Sequence, residues 1–543
     1  MVKNYTRKVK FNLKPGITVG LVSIPLSISL AIASGVSPVV GIISAFWGGA
    51  IAALFAGSTF NIIGPTGALS GLILSFALTQ GIGSLPMLTI LTGLLILLAW
   101  MLNIQKYLIY IPGAVIHGFT LGVAFIIALG QFNNAFALKP AHIHENLLLN
   151  IIESIKVLPH ADITSGVIFI LGLSFLLVMK KRIPSLPGAI LLTGIGIILG
   201  FSATKHLIPI QVPTLYSKFG LLSLSLIPKH LPKILVTVPM FQAASVIAFI
   251  AIIETMLSAK VASIMTKTRF NDRKEMMALA LANIVSGLIG GIPVTAALAR
   301  TSLNIKSGAD SRASAAISSL IIGIVSVMFF NSFAYIPLSI VAAILVNVAI
   351  NMVEKEHFAF LMRHDRLSFF MAIAVGFVTI AADPIIAVTL GSVVILLRQL
   401  QRLSLGDYEI LVNQNKKLTN RLTGDDLQKL EEGGDPLVYS FNSDLTYLNR
   451  EAHLMRLEQM AIHSENIILR FRSVSYIDPD GLLMLGEIVE LFEGKGISIY
   501  FTGVSEKIKR MFERDHFLSK FTKKGIMFEK TSDALAEIYA SHK

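Results

Sequence analysis

The sequence of 543 residues contains no cysteine, and only 15% of its residues are charged. The absence of cysteine excludes a disulfide framework and a thiolate-held metal site. The low charge, the 54% hydrophobic content and the mean hydropathy of +0.71 are typical of a chain that crosses a membrane repeatedly. Acidic residues are scarcer than basic ones, which gives a formal net charge of +13. In a membrane protein such an excess is typical of cytoplasmic loops, so no nucleic-acid partner is expected.

Apolar runs of membrane-spanning character fill the first 400 residues. We count about fourteen of them, at residues 17–34, 38–57, 66–80, 86–104, 111–131, 162–180, 188–204, 240–264, 276–291, 297–307, 312–331, 336–353, 367–382 and 383–400. They predict a polytopic α-helical domain over residues 17–402 that spans a lipid bilayer, the inner membrane, after a basic segment at 1–16. The basic stretches between the runs fall on one side when the N-terminus is placed inside, which predicts that both termini are cytoplasmic.

The chain changes character after the last apolar run. A polar, turn-rich stretch at residues 403–435 is typical of a linker. Beyond it, β-like runs at 437–441, 466–471 and 497–501 alternate with helical patterns. This alternation predicts a small α/β domain over residues 436–543. Because the last span ends on the inner side, we expect this domain in the cytoplasm.

Two of the apolar segments are interrupted by glycine and proline. One opens with GPTGA at 64–68, and the other opens near residue 297, after GGIP at 290–293. In hydrocarbon such breaks are tolerated only where protein or a watery cavity surrounds them. The helices that resume run in opposite directions and hold the third place in each half of the chain. They predict a seven-plus-seven inverted repeat, in which two half-helix N-termini, one of them at Gly67 and Ala68, face each other across an anion site.

A charged side chain, Arg300, lies near the start of the second half-helix. This segment begins at about Ala297 and runs for about 10 residues, half the length needed to span the membrane. An arginine in a membrane helix is costly unless it is paired or hydrated. We interpret Arg300 as part of the anion site; the alternative is that it reaches the cytoplasmic surface together with Lys306 and Arg312.

An acidic side chain lies in an apolar run between the two breaks. Glu254 is the only acidic residue placed deep within a span, and Ser258 follows one turn later on the same helix face. A buried carboxylate needs a proton or a cation. We interpret the pair as a site that couples transport to H⁺ or Na⁺; the alternative is a structural partner for Arg300 or for a backbone break. His117 is a lone imidazole near a helix start, and we interpret it as structural.

Four motifs together resemble the SulP (sulfate permease) family of anion transporters. They are PLSISLAIASGVSP (25–38), IIGPTGALSG (62–71), IETMLSA (253–259) and GGIPVTAALARTSLNIKSGADSR (290–312), and the C-terminal domain resembles the family's STAS domain. The resemblance implies a core and a gate domain, a homodimer, and an anion bound between the third and tenth spans with help from the first. Carried over by position, Thr66, Leu298 and the backbone of Ala299 and Arg300 line that site.

The sequence departs from the family pattern at three places. Leu26 stands where many members have glutamine after the proline, so one polar contact to sulfate is missing. Glu254 and Ser258 stand where some bacterial bicarbonate carriers bind Na⁺ with aspartate and threonine. Because the acid here is glutamate, coupling to H⁺ is expected at least as much as coupling to Na⁺. In the loop that begins at Asp478, Asp480 stands where relatives in sigma-factor control have a phosphorylatable serine. Asp480 is therefore expected to be a permanent charge or simply a helix N-cap.

These features together predict a secondary-active transporter rather than an enzyme. The substrate is a small inorganic or carboxylate anion such as bicarbonate, sulfate or a dicarboxylate. No cofactor or metal is expected beyond the coupling ion, H⁺ or Na⁺ near Glu254. A cytoplasmic regulator could act through the STAS domain. Two alternatives stay open: a nucleobase-type carrier on the same fold, and a membrane-anchored signalling scaffold built around the STAS domain.

Overall fold

The structure, a computed structural model, divides into two compact units, Met1–Val393 and Val394–Lys543. The described residues are 2–110, 112–142, 144, 147–183, 187–220, 226, 236–381, 384–414, 417–422, 436–462, 464–514, 518–519 and 526–541. Each unit is described by itself below.

Helices account for nearly all of the first unit. They are α1 (Val2–Ala33), α2 (Pro38–Phe55), α3 (Gly67–Gln80), α4 (Leu85–Met101), α5 (Gly113–Gly130), α6 (Phe132–Phe136), α7 (Leu147–Lys156), α8 (Ile163–Arg182), α9 (Gly188–Thr204), α10 (Leu215–Phe219), α11 (Val238–Thr266), α12 (Asp272–Leu288), α13 (Leu298–Lys306), α14 (Ala313–Phe333), α15 (Leu338–Met352), α16 (Lys355–His364), α17 (Arg366–Ala381) and α18 (Pro384–Ser404). Two short strands, β1 (Ile63–Gly64) and β2 (Thr295–Ala296), precede α3 and α13. Short 3₁₀ turns lie at Ile82–Ser84, Ile104–Tyr110 and Leu158–His160.

The number of membrane spans agrees with the sequence prediction. Within the described residues, nine helical stretches are long and apolar enough to cross a membrane, and three shorter apolar helices, α3, α9 and α17, accompany them. Adding α12 and the short α13 to these twelve gives fourteen. The half-helix α13 has 9 residues, about 13 Å at 1.5 Å per residue, which is less than half of a bilayer's hydrocarbon thickness.

The helix packing repeats between the two halves of the membrane unit. The second span of each half packs against the fourth span of the other, as α2 with α14 and α12 with α4. Likewise α1 packs on α14 and α11 on α4, while α5 packs on α17 and α15 on α8. Exchange of equivalent partners is the mark of an inverted repeat. Spans α1–α4 and α11–α14 form the core domain, and the remaining six spans form the gate domain.

Small residues allow these helices to approach closely. A Cβ atom added at Gly118 of α5 would lie 2.3 Å from the carbonyl oxygen of Ala372 in α17. Any side chain at this position would therefore push the two gate helices apart. Glycine at such contacts is expected in a membrane, because close backbone packing replaces the hydrophobic effect as the force between helices.

The second unit is an α/β domain with a six-stranded sheet. Its elements are β3 (Tyr408–Gln414), β4 (Lys417–Leu422), β5 (Leu437–Phe441), α19 (Arg450–Met460), β6 (Asn466–Arg470), α20 (Pro479–Gly494), β7 (Ser498–Thr502), α21 (Glu506–Arg514), β8 (Met527–Phe528) and α22 (Thr531–Ser541). The strand order is β4-β3-β5-β6-β7-β8, and β5 to β8 run parallel. Buried side chains alternate between the two faces of the sheet, so that Tyr439 and Leu469 lie in the larger core and Val438 and Ile468 in the smaller one.

The stretch predicted as a linker contains two strands of this sheet. β3 pairs antiparallel with β5, with Ile410 opposite Tyr439, and β4 pairs with β3. Ile410 is fully buried, and the ring of Tyr408 stacks on that of Tyr439 at 5.5 Å. The prediction of a linker is therefore wrong at residues 408–414 and 417–422, because the few apolar side chains of β3 were outweighed by the polar residues around them. Residues 415–416 and 423–435 lie outside the described residues.

Candidate functional site

The two breaks in the membrane unit are joined to each other. β1 and β2 pair antiparallel, with Gly64 opposite Thr295 and Ile63 opposite Ala296. The N–H of Ala297 donates to the carbonyl oxygen of Ile62 at 3.1 Å. Because backbone groups inside a membrane must find partners, the two extended segments satisfy each other. The pairing places the starts of α3 and α13 side by side.

Side chains from neighbouring helices complete the second break. The amide of Asn283 binds both backbone groups of Val294, accepting from its N–H and donating to its carbonyl oxygen at 2.9 Å each. The N–H of Ile292 donates to Ser44 Oγ at 2.8 Å, and Ser286 Oγ donates to the carbonyl oxygen of Ile292 at 2.9 Å. The non-helical backbone is thus buried in protein, as the sequence argument requires.

The first turns of α3 and α13 carry free donors. The N-cap residues are Thr66 and Ala297, and among the described residues neither helix has a side-chain cap. The hydroxyl of Thr66 instead donates to Glu254 Oε2 at 3.0 Å. The first backbone N–H groups of each helix have no intrahelical acceptor and carry partial positive charge. Two such ends held together form a site suited to an anion.

The residues predicted to line this site lie at these two helix starts, except Leu26. Gly67 and Ala68 are buried in the first turn of α3. Leu298 is partly buried and Ala299 exposed in the first turn of α13. Leu26 follows Pro25 within α1 and is partly buried. The structure thus brings the starts of α3 and α13 together as predicted, through the pairing of β1 with β2.

Arg300 is buried beside the first break. Its side chain is only 3% exposed, and its Nη2 donates to the carbonyl oxygen of Pro65. A Cβ atom at Gly64 would lie 2.7 Å from Nη1, so glycine at this position makes room for the guanidinium. The alternative that Arg300 reaches the surface with Lys306 and Arg312 is wrong, because those two side chains are exposed while Arg300 turns inward.

A small cavity with both polar and apolar lining borders Arg300. Its volume is about 10 Å³, and serines of α1 and α14 line it together with Arg300. The buried hydroxyls of Ser23 and Ser318 have no hydrogen-bond partner within the described part of the chain. A space of this size fits about one water molecule. A water there, together with the serine hydroxyls, would reduce the cost of a guanidinium within a membrane helix.

Glu254 and Ser258 lie on one helix face but have different hydrogen-bond partners among the described residues. Glu254 is partly buried and is bound to Thr66, the N-cap residue of α3. Ser258 is fully buried, and its hydroxyl lies 3.0 Å from both Asn61 Oδ1 and Thr301 Oγ1. The sequence predicted the pair from its spacing. The structure links Glu254 to the start of α3 and Ser258 to a separate network.

That network contains a buried acid that the sequence analysis missed. Glu275, in the first turn of α12, is fully buried. Its carboxylate accepts from the backbone N–H groups of Gly57 at 2.8 Å and Ser58 at 2.6 Å, and from Asn61 Nδ2 at 2.8 Å. Glu275 follows three charged residues at the start of a helix, a pattern that is typical of an exposed position. Its role is to hold the segment after α2 against α12.

Replacement of Glu275 by alanine should destabilise the membrane unit. The change removes the acceptor of the buried donors of Ser58 and Asn61 and of the partly buried N–H of Gly57, and a buried donor left without an acceptor costs about 1–3 kcal/mol. Thermal unfolding of the purified protein in detergent measures the loss, and Glu275→Gln, which keeps one acceptor oxygen, should lose less. The matched control is Asp272→Ala in the same helix turn, which is exposed and should change stability by about 0.5 kcal/mol or less. Equal melting temperatures for Glu275→Ala and the control would contradict this role.

The loop before α20 in the second unit is held by Asp478. Its Oδ1 accepts from the N–H of Gly481 and its Oδ2 from the N–H of Tyr447, both at 2.8 Å. Asp478 is the N-cap residue of α20, and Asp480 lies in the first turn. The interpretation of Asp480 as the N-cap is therefore corrected. Its negative charge instead complements the partial positive charge of the helix N-terminus.

The two aspartates should respond differently to mutation. Asp478→Ala removes the acceptor for two backbone N–H groups and should cost about 1–2 kcal/mol of domain stability. Asp480→Ser should cost less and leave basal transport nearly intact, because it removes only a favourable charge at the helix start. Thermal unfolding and liposome uptake of both variants measure these effects. A large loss of uptake by folded Asp480→Ser protein would instead show that this loop controls transport directly.

Comparisons with known proteins agree with this architecture. Residues 10–375 match the model of the sulfate permease family, and residues 428–537 match that of the STAS domain. The chain is 30% identical over 527 residues to "Putative sulfate transporter YvdB" of Bacillus subtilis (strain 168), covering 95% of this chain and 96% of that protein. It is 25% identical over 570 residues to the bicarbonate transporter BicA of Synechocystis sp., covering 98% of this chain and 95% of that protein.

Solved structures show the same fold at lower identity. The structure of SLC26A9 matches with a TM-score of 0.80 and 15% identity over 99% of this chain and 91% of that chain. The transmembrane domain of a cyanobacterium bicarbonate transporter BicA matches with a TM-score of 0.60 and 22% identity over 70% of this chain and 97% of that chain. The family match covers most of the membrane unit and the second match most of the α/β unit. The chain therefore belongs to the sulfate permease family and ends in a STAS domain.

Proposed function

We propose that this protein is a secondary-active transporter of a small inorganic or carboxylate anion. The observation that supports this most strongly is the pairing of two uncapped helix N-termini, those of α3 and α13, with the buried guanidinium of Arg300 beside them. Partial positive charge from both helix ends and a full charge from Arg300 favour an anion over a neutral ring. This argues against a nucleobase-type carrier.

The residues at the helix starts are proposed to bind the anion. The backbone N–H groups of Gly67, Ala68, Ala299 and Arg300 donate to it, and Leu298 and Leu26 border it. Thr66 links this site to Glu254 through its hydroxyl. In this scheme the core domain carries the anion past the gate domain. A leucine at position 26 offers no polar contact, which favours an anion that needs few side-chain donors.

Glu254 is proposed to couple transport to a cation, and H⁺ is favoured over Na⁺. A carboxylate that crosses a low-dielectric barrier must be neutralised in each cycle. A proton does so without further ligands, whereas Na⁺ needs several oxygens. The hydroxyl of Ser258 is already engaged with Asn61 and Thr301, so Ser258 is a poor Na⁺ ligand for a site at Glu254. Thr66 Oγ1 is the nearest hydroxyl bound to the carboxylate.

The proposal includes the cellular setting. We place the protein in the inner membrane with both termini in the cytoplasm, as a homodimer, with the STAS domain available to a cytoplasmic regulator. Relatives named for sulfate and for bicarbonate transport make these two anions the first to test. The signalling-scaffold alternative requires transport to be absent, which the same assay decides.

Uptake into liposomes that contain the purified protein tests this proposal. A panel of labelled sulfate, bicarbonate and a dicarboxylate is offered with and without Na⁺ and with and without an inward proton gradient. We expect saturable uptake of at least one anion, inhibited by competing anions and accelerated by the proton gradient. Matched liposomes with the protein lacking residues 405–543 separate transport by the membrane unit from effects of the STAS domain. Absence of uptake for every anion, with folded protein present, would overturn the proposal.

A further inference from the structure

Three side chains capable of binding a metal meet near the starts of α5 and α16. His117 lies one turn into α5, Glu354 immediately precedes α16, and His357 lies in the first turn of α16. One ligand atom from each lies within 4.8 Å of the others. This was not visible in the sequence, where His117 was interpreted as a lone structural imidazole. The cluster is separate from the anion site and uses none of its residues.

The local backbone aims Glu354 and His357 in the same direction. They are three residues apart, the spacing that places two side chains on one face of a helical turn. The N–H of His357 donates to the carbonyl oxygen of Glu354 at 3.0 Å, which fixes this turn. The turn follows directly after α15, which packs against α5 and so brings His117 opposite the pair. Two ligands thus come from one turn and the third from the neighbouring helix.

The distances suit a shared metal better than a direct bond. His117 Nδ1 and Glu354 Oε2 lie 3.4 Å apart, longer than the 2.7–2.9 Å of a good charge-assisted hydrogen bond. Two ligands of a tetrahedral Zn²⁺, each about 2.0–2.1 Å from the metal, lie about 3.3 Å apart. The rings of His117 and His357 are stacked with centroids 3.6 Å apart and planes 29° apart, so one ring must rotate about its side-chain bonds before a nitrogen of each can bind the same ion.

The surroundings also favour a metal. The side chain of His117 is 15% exposed and that of Glu354 is 39% exposed, so the cluster is partly open rather than sealed inside the protein. Two imidazoles and one carboxylate form a donor set that Zn²⁺ uses with an open fourth position. We propose that His117, Glu354 and His357 bind a divalent transition-metal ion, Zn²⁺ by chemistry, and so join the start of α5 to the turn between α15 and α16.

Metal binding by the purified full-length protein tests this. The protein is stripped with a chelator, any polyhistidine tag is removed, and Zn²⁺ is titrated by calorimetry. The absence of cysteine from the chain removes thiolates as competing sites. We expect one ion per chain and a rise in melting temperature on binding. Co²⁺ in place of Zn²⁺ should give the visible absorption of a tetrahedral site.

Single substitutions identify the ligands. His117→Ala and His357→Ala should each weaken Zn²⁺ binding by at least about tenfold, since a three-residue site loses a ligand in each case. His142→Ala is the control, because His142 lies near His144 in a different segment and should leave the affinity unchanged. The metal-free melting temperature of each variant shows whether it folds, and His357→Gln serves if His357→Ala does not. No binding by the wild-type protein, or wild-type affinity in both folded histidine variants, would overturn the proposal.

Discussion

Arg300→Ala is expected to lower anion uptake by at least about tenfold, mainly through weaker anion binding. The guanidinium lies beside the start of α3 and is held there by Pro65. A hydrogen bond to a charged group contributes about 1.5–3 kcal/mol, and each 1.4 kcal/mol is a factor of ten in affinity. Uptake by proteoliposomes over a range of anion concentrations separates apparent affinity from maximal rate.

Two further variants make the Arg300 result specific. Arg300→Lys keeps the charge but loses the planar set of donors, so its uptake should lie between wild type and Arg300→Ala. Lys306→Ala removes an exposed charge from the end of the same helix and should transport normally. Size-exclusion chromatography and thermal unfolding confirm that each variant folds. Wild-type affinity and rate for folded Arg300→Ala protein would remove the guanidinium from the anion site.

Glu254→Gln should abolish accumulation of the anion against its gradient while anion exchange persists. Glutamine resembles the protonated acid and can still accept the hydrogen bond that Thr66 donates to Glu254 at 3.0 Å. A carrier that is permanently neutral there can cross with bound anion, but it no longer takes up a proton in each cycle. Uphill uptake driven by an inward proton gradient, and exchange between equal anion concentrations, measure the two activities separately.

The matched control for this prediction is an acidic residue outside the site. Asp272→Asn, at the exposed start of α12, removes a carboxylate and should leave both activities unchanged. Wild-type uptake that requires Na⁺ and ignores the proton gradient would contradict coupling to H⁺. Normal accumulation by Glu254→Gln would contradict any coupling role for this side chain.

The sequence alone predicted the number of spans and the two half-helices of the membrane unit. The number of spans depends on local hydropathy. The starts of the half-helices depend on glycine and proline at 64–68 and 290–293. Both features can be recognised from a short stretch of sequence. The facing of α3 and α13 followed because equal positions in an inverted repeat meet at the membrane centre. The structure confirms that prediction through the pairing of β1 with β2.

Contacts between segments that are distant in the sequence could not be predicted from local patterns. The carboxylate of Glu275 accepts hydrogen bonds from the backbone N–H groups of Gly57 and Ser58, more than 200 residues away in the sequence. No pattern around Glu275 indicates such partners. Spacing correctly placed Glu254 and Ser258 on one helix face, but it could not say that Asn61 would engage the serine. The cluster around His117 likewise depends on the packing of α5 against α15.

The most direct test of the proposed anion site is to locate a bound anion in a crystal structure of the full-length protein. Bromide is a suitable probe, because it scatters anomalously and because helix N-termini and a guanidinium bind anions without requiring one shape. We predict an anomalous peak within hydrogen-bond distance of the backbone N–H groups at the starts of both α3 and α13, and its loss in Arg300→Ala. Bromide that is found only elsewhere, in a protein whose uptake bromide inhibits competitively, would contradict the proposed site.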